Sequence, residues 1–256
     1  MAKAKALQFA DTVSDAPFIF DGTIDKLNAA TMPGIASETT AIVKVNDVFR
    51  APPAVGNLKG KKITLQLASA RGTKPGQRAT FYATSWMYGD SLALAELSRE
   101  TPSRRKAAAS DMRARVADAE LEIENRALQR RMEQAQYVVT GRVTEIGPVQ
   151  TEAPKGRVSE HAPDWWWADI HVEHADKGAL RAPTIRVLYP NSRDELWIDA
   201  PKFHVGQHGV WLLQKDQEEK GPPEMRVAGF TALHPLDFQQ PTSLNRIRAL
   251  AKRSAK

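Results

Sequence analysis

The chain has 256 residues, a mass of 28.3 kDa and 42% apolar residues, so it can fill one or two hydrophobic cores and is not disordered as a whole. Lysine and arginine outnumber aspartate and glutamate by 36 to 30, which gives a formal net charge of +6 and a sequence pI near 9.5. The absence of cysteine excludes disulfides, thiolate metal sites, iron–sulfur clusters and a cysteine nucleophile.

The first residues carry Lys3 and Lys5 but lack the apolar run of a secretory signal, so residues 1–15 are interpreted as an N-terminal tail. No stretch approaches the roughly 20 apolar residues that a membrane-spanning helix needs. These features predict a soluble cytoplasmic protein without a transmembrane segment.

The rest of the chain contains a diverged internal repeat. Five short blocks recur in the same order, at offsets that drift from about 119 to about 133 residues. Apolar residues alternate within most blocks, which is the period of a half-buried strand. Each copy is therefore predicted to contain five short strands. The paired blocks are 18–24 with 137–143, 41–46 with 168–173, 63–67 with 185–189, 75–83 with 205–213, and 92–94 with 225–227.

Five short strands separated by turn signals predict a small antiparallel barrel in each copy. In the second copy, Gly141 follows an aliphatic run, Lys177 and Gly178 end the next strand, and Gly206 precedes an aromatic-aliphatic strand. These elements resemble an OB-fold, and more narrowly its netrin-module or TIMP-like variant. The resemblance implies tandem OB-like modules. Protease inhibition of the TIMP type needs an N-terminal cysteine and disulfides, so it is not expected here.

The segment between the copies is predicted to be a helical linker, because residues 103–136 contain neither glycine nor proline. Ser110 and Asp111 favour a helix start at this point. We expect the helix to pack along one or both barrels of its own chain; the alternative is pairing with a second copy or another protein. Its two apolar rows are Met112, Val116, Ala119 and Ile123, and Leu121, Leu128, Met132 and Ala135.

The predicted fold is therefore mainly β with a long helix. Two small antiparallel five-stranded OB-like barrels, residues 16–100 and 137–236, are joined by a helical linker, residues 101–136. Residues 237–256 form a basic helical tail, for which a solvated state is the default expectation.

Catalytic motifs are absent: the chain has no metalloprotease, nucleophile-elbow, phosphate-loop or dinucleotide-binding signature. Histidine spacing offers a metal site as a weak alternative, although residues 171 and 174 of one strand point to opposite faces. We expect no enzyme, no cofactor and no metal site. The metal alternative would draw on His161, His171, His204, His208 and Glu173.

Binding is the remaining class, and the run Trp165 to Trp167 is the most unusual local feature. Alternation places Trp166 on the core side and its two neighbours outward, where they either anchor a partner or cover a barrel end. The candidate partner-binding residues are Trp165, Trp167 and His171 on the second barrel, and Arg246, Arg248, Lys252 and Arg253 on the tail.

The position of the charges shapes the functional prediction. Lys3 and Lys5 contribute +2 and the segment from residue 241 contributes +5 to the formal +6, which leaves −1 for residues 11–240. The barrels thus lack the basic groove that phosphate binding needs. We expect a protein-interaction or assembly protein that binds a partner or self-associates. The alternative is a single-stranded nucleic-acid-binding protein, and the third candidate is an enzyme or metal-binding protein that uses the second barrel.

Overall fold

The computed structural model of the chain describes residues 2–89, 91–101, 109–149, 163–180, 182–215 and 229–254. The chain divides into two compact units, Met1–Glu124 (unit 1) and Asn125–Lys256 (unit 2). Each unit is built around a closed five-stranded β-barrel, which agrees with the predicted tandem OB-like modules. Within the part of the chain that the structure describes, no helix is both long and apolar enough to cross a membrane.

Unit 1 begins with a helix and continues with five strands that close in the order β1-β2-β3-β5-β4. Its barrel interior is filled by alternating apolar residues such as Val43, Leu65 and Leu94, all of them fully buried. The rings of Phe20 and Phe81 stack there with centroids 5.4 Å apart. The elements are α1 (Ala2–Asp15), β1 (Phe18–Leu27), β2 (Thr40–Arg50), β3 (Lys62–Gln66), β4 (Arg78–Tyr88) and β5 (Leu92–Glu100).

Unit 2 repeats this path. Strand β10 pairs with both β8 and β9, so the barrel closes in the order β6-β7-β8-β10-β9, and β11 adds to β9. The barrel interior includes Ala168, Ile170, Val187 and Trp211. The elements from the linker onward are α2 (Ala109–Gln134), β6 (Tyr137–Pro148), β7 (Trp165–Lys177), β8 (Thr184–Pro190), β9 (His208–Lys215), β10 (Phe230–Thr231), β11 (Phe238–Gln239) and α3 (Leu244–Ser254).

Strand direction corrects one part of the predicted fold. Neighbouring strands are antiparallel except β3 with β5 and β8 with β10, which are parallel. The prediction of antiparallel barrels is therefore confirmed for most neighbouring strands and wrong for these two pairs. An odd number of strands cannot alternate in direction all the way around a closed ring, so a five-stranded barrel must contain a parallel pair.

The register confirms most of the predicted repeat. Gly22 lies opposite Val45 in unit 1, and Gly141 lies opposite Val172 in unit 2. The turn before the fourth strand is also the same: the Gly76 amide donates to the Ile24 carbonyl at 2.8 Å, and the amide of residue 206 donates to that of residue 143 at 2.8 Å. The predicted fifth block, 225–227, lies outside the described residues, and the observed fifth strand is β10.

Two helices cover the outer face of the first and fourth strands in each barrel. The segment interpreted as an N-terminal tail is helix α1, whose Ala10 and Val13 pack with Ile19, Tyr82 and the first half of α2. The second half of α2 packs with α3 in unit 2. The predicted rows of α2 are therefore buried against both barrels, with one correction: Leu121 is 49% exposed. It lies two residues, or about 200°, from the row that contacts unit 1.

Candidate functional site

The tryptophan run opens β7, and its three side chains have different surroundings. Trp166 packs against the core of barrel 2, as the strand alternation predicts. Trp165 and Trp167 are half-buried and contact residues outside that core. The two candidate tryptophans are thus on the predicted side of the strand, but neither is fully exposed.

Trp167 is covered by an ordered cation. The guanidinium of Arg186, on the neighbouring strand β8, lies 3.9 Å from the indole centroid. The same guanidinium donates from Nε and Nη2 to the two carboxylate oxygens of Asp169 at 2.7 Å each, and this pairing raises the Arg186 pKa above its ordinary value. The ring also packs so closely against Gly147 that an added Cβ would lie 2.6 Å from it.

This arrangement stabilises the barrel surface and covers one indole face of Trp167. A cation–π contact at a solvent-accessible site contributes about 0.5–1 kcal/mol, and the bidentate pair fixes the guanidinium in place. A nucleobase would have to displace the guanidinium before it could stack on this face of the ring. In this structure, the Trp167 side chain therefore packs β7 against β8 through its contact with Arg186.

Trp165 contacts a second tryptophan from the connection between β8 and β9. The ring centroids of Trp165 and Trp197 are 5.8 Å apart and tilted by 60°. The residues on either side of Trp197 are among the most exposed apolar residues described: Leu196 is 63% exposed and Ile198 is 60% exposed. These four residues, Trp165, Leu196, Trp197 and Ile198, form the aromatic patch.

Local hydrogen bonds hold the connection in this shape. The Leu196 amide donates to the Asp194 carboxylate at 2.9 Å, and the Trp197 amide donates to the Asp194 carbonyl at 2.9 Å. The Lys202 ammonium donates to the carbonyls of Trp197 and Ala200 at 2.7 and 2.9 Å. Burial lowers the pKa of Lys202, opposed by nearby Asp199. The aromatic patch is therefore presented on an ordered turn, so little conformational entropy remains to be lost on binding.

The rim of the aromatic patch is acidic. Asp164, Glu195 and Asp199 are exposed around it, against the single exposed cation Arg193 in the same turn. This charge repels phosphate and attracts lysine or arginine side chains. The aromatic patch is thus suited to a surface that combines apolar and basic groups.

The histidines of barrel 2 do not assemble a metal site in the described part of the chain, where no group of three or more potential ligands is found. His208 Nε2 lies 2.9 Å from Glu173 Oε2, and His204 Nδ1 lies 3.2 Å from the carbonyl of Val205. His171 is exposed on β7, and residue 161 lies outside the described residues. The histidine–glutamate pair links β7 to β9 as a surface contact.

The basic tail is a docked helix in this structure. Its Ile247 and Leu250 are buried against α2, β6 and β9. The default expectation of a solvated tail is corrected, because the apolar stripe of α3 finds a complementary surface on the barrel. Arg246 donates to the Asn125 side chain at 2.6 Å and Arg248 donates to Asp176 at 3.1 Å. The side chain of Arg253 lies outside the described part.

Arg248 and Lys252 line a groove beside this helix, with a volume of about 530 Å³. Buried Met132, Val138 and Ile247 line it together with Ala251. The charged residues that complete the lining are Glu133, Asp176, Lys177, Arg248 and Lys252. The structure thus brings two of the predicted tail residues to one groove, separate from the aromatic patch.

The apolar turn and the groove were both missed at the sequence level. Leu196, Trp197 and Ile198 form an apolar triplet between acidic residues, and an apolar triplet in a segment without strand alternation was the available signal. The groove depends on which residues of β7 and α3 meet, which no local pattern shows.

In comparisons with known proteins, no family model matches the chain, and no curated protein matches it.

Proposed function

We propose that the chain is a non-enzymatic protein-interaction protein whose aromatic patch binds an apolar, basic segment of a partner protein. The observation that carries the proposal is the exposure of Leu196 and Ile198, at 63% and 60%, beside the Trp165–Trp197 pair. Tryptophan is enriched in the central anchors of protein interfaces, and exposed aliphatic side chains gain free energy when a partner covers them.

The acidic rim supports a protein partner over a nucleic acid. Asp164, Glu195 and Asp199 oppose phosphate binding, and the face of Trp167 is already occupied by Arg186. The closed barrels also support the OB-like part of the family resemblance. We also propose that the barrels resemble the narrower netrin-module or TIMP-like variant of the OB-fold. The cytoplasmic location stays a prediction.

The proposal is tested by selecting peptides from a random displayed library with the full chain as bait. We expect enriched peptides to combine aromatic or aliphatic residues with lysine or arginine. The double variant Leu196→Asp/Ile198→Asp should weaken their binding at least tenfold, because it places two carboxylates in the contact surface. Both positions are exposed, so the variant should fold.

A matched control is available in unit 1, where Leu97 is 46% exposed on β5. Leu97→Asp should leave peptide affinity unchanged. Light scattering on the same proteins tests whether the chain self-associates through the aromatic patch. In that case, the wild type and Leu97→Asp should be oligomers and the double variant a monomer. Peptides that bind the double variant as tightly as the wild type would overturn the proposed site, and salt-sensitive oligonucleotide binding would favour the nucleic-acid alternative.

A further inference from the structure

The groove beside α3 lies next to a bulged position at which the two copies differ. In unit 1, Ile19 pairs with Arg50 and Phe20 with Val48, so Phe49 is the extra residue of β2. In unit 2, the same irregularity of register leaves Asp176 as the extra residue of β7, between Ala175 and Lys177. The two residues therefore occupy equivalent places in the repeat.

Their neighbours confirm the equivalence. The Arg50 guanidinium donates to the carbonyls of Val13 and Ala16, near the end of the helix that precedes its barrel. The Lys177 ammonium donates in the same way to the carbonyls of Met132 and Glu133, at 2.9 and 3.1 Å. Each cation thus binds the C-terminal end of a helix, where it is favoured by the helix dipole, one residue after the bulge.

Unit 1 shows what fills this space. The Phe49 ring packs against the apolar cluster formed by α1, the barrel face and α2, and the guanidinium of Arg113 lies 5.8 Å from its centroid. Arg113 also binds the Asp47 carboxylate at 2.6 Å. In unit 2 an arginine is again paired with a carboxylate, Arg248 with Asp176, but no aromatic ring from β7 lies between the helices.

The charges of the groove favour an anion beside the missing ring. Three cationic and two anionic side chains line it, which leaves an excess of +1. Arg248 and Lys177 are held by the contacts given above. Lys252 is exposed and, among the described residues, makes no hydrogen bond or ion pair.

We infer that this groove binds an aromatic side chain of a partner polypeptide that carries a carboxylate next to the ring. The ring would occupy the volume that Phe49 fills in unit 1, against Met132, Val138 and Ile247, and the carboxylate would pair with Lys252. The groove shares no residue with the aromatic patch, so this site is independent of the proposed function.

The test is a two-dimensional NMR titration of the full chain with three blocked ten-residue peptides. They carry Asp-Phe, Asn-Phe or Asp-Ala at the centre of the same alanine–glycine background. We expect the Asp-Phe peptide to bind at least tenfold more tightly than Asp-Ala and about threefold more tightly than Asn-Phe, with the largest shifts at Ile247 and Ala251. Free 3-phenylpropionate, which has the same two groups without a chain, should bind at least tenfold more weakly than Asp-Phe.

Two variants fill the groove from opposite walls. Asp176→Phe restores the residue of unit 1, and Ala251→Trp adds a ring from α3, so that the result does not depend on one variant folding. Each should weaken Asp-Phe binding at least tenfold. Ala249→Trp is the matched control, since Ala249 is exposed on the same helix and does not line the groove. Lys252→Ala should reduce the affinity for Asp-Phe to that for Asn-Phe.

The outcomes separate the alternatives. Unchanged Asp-Phe affinity in both filled variants would overturn the site. Equal affinity for Asp-Phe and 3-phenylpropionate would overturn a polypeptide as the occupant in favour of a small aromatic acid. Because Leu196→Asp/Ile198→Asp leaves the groove intact, it should bind Asp-Phe like the wild type even if the aromatic patch proves inactive.

Discussion

The two barrels have the same strand order, but their outer surfaces differ. In unit 1, the connection between β3 and β4 is tied to β5, because Arg99 donates to the Ser69 carbonyl at 2.5 Å and to Thr73 Oγ1 at 3.0 Å. The equivalent connection in unit 2 is longer and exposes Leu196 and Ile198. The barrel is thus closed in both copies, while this connection exposes an apolar pair next to a tryptophan in the second.

The bulge in the second strand of each barrel is another place where the outer surfaces of the two copies differ. Phe49 completes an apolar cluster in unit 1, whereas Asp176 borders a groove in unit 2. A core position must preserve volume, but a position on the outer face can change from aromatic to charged without disturbing the barrel. Binding surfaces are therefore expected on unit 2, and the first copy serves as an internal control for each of them.

The largest difference between the two units is expected in the free energy of unfolding that is lost when an ion pair is broken. Asp237 is fully buried and accepts hydrogen bonds from Arg131 Nε at 2.5 Å and from the amides of Leu233 and His234 at 2.8 Å each. Asp237→Ala should lower the free energy of unfolding of unit 2 by about 3–5 kcal/mol, because Arg131 would be left unpaired at low exposure. Tryptophan fluorescence in urea measures this, since five of the six tryptophans are in unit 2.

The matched variant is Asp47→Ala in unit 1, where the partner Arg113 is half-exposed and solvent screens the pair. Its cost should be about 1 kcal/mol or less, measured by hydrogen exchange of unit 1 amides. Equal costs for the two variants would show that burial does not distinguish the pairs.

A smaller difference is expected at the glycines of the first strands. A Cβ on Gly141 would lie 2.3 Å from the carbonyl oxygen of His171, whereas a Cβ on Gly22 would lie 2.6 Å from a methyl group of Val43. Backbone yields less readily than a side chain, so Gly141→Ala should cost about 3 kcal/mol and Gly22→Ala about 1–2 kcal/mol. Urea unfolding of the two variants decides the order, and a larger cost at Gly22 would contradict it.

The smallest effect concerns pH and belongs to unit 1. Burial raises the pKa of Glu96, although Arg99 and the Ala68 amide oppose the shift. The folded state therefore holds this proton more tightly than the unfolded state, whose glutamate pKa is about 4.3. The resulting stability is present below that value and is lost as the pH rises through the raised pKa.

Glu96→Gln should remove this part of the pH dependence. The difference in unfolding free energy between wild type and variant, measured by hydrogen exchange of unit 1 at a series of pH values, should fall as the pH rises through the window. Leu97→Gln, at the exposed neighbouring position of β5, changes no titratable group and is the control, so its difference should be flat. A flat curve for Glu96→Gln as well would refute the proposed role of burial.

Sequence alone predicted the elements whose side chains alternate. The pairs Gly22 with Gly141 and Val43 with Ile170 were recovered because each strand has one face in a core, which constrains residue type at every second position. The two-residue strand β10 was missed because it is too short to show a period. Helix α1 was missed because residues 1–15 were tested only for a secretory signal and, lacking one, were interpreted as a tail.

The candidate site was predicted in part for a related reason. Trp165, Trp167, Arg248 and Lys252 were identified by residue type, but their partners come from distant segments. Trp197 meets Trp165 only when β8 and β7 pair, and Arg186 reaches Trp167 only in that same register. The local sequence pattern therefore identified one residue of each contact. It could not show that Arg186 already covers a face of Trp167.

Helix α2 has a consequence for how the chain can be divided. The boundary between Glu124 and Asn125 falls inside this continuous helix. A cut there would leave each barrel with a helical fragment too short to persist without packing. One continuous element therefore belongs to both compact units, and the chain cannot be divided at their boundary without cutting a helix.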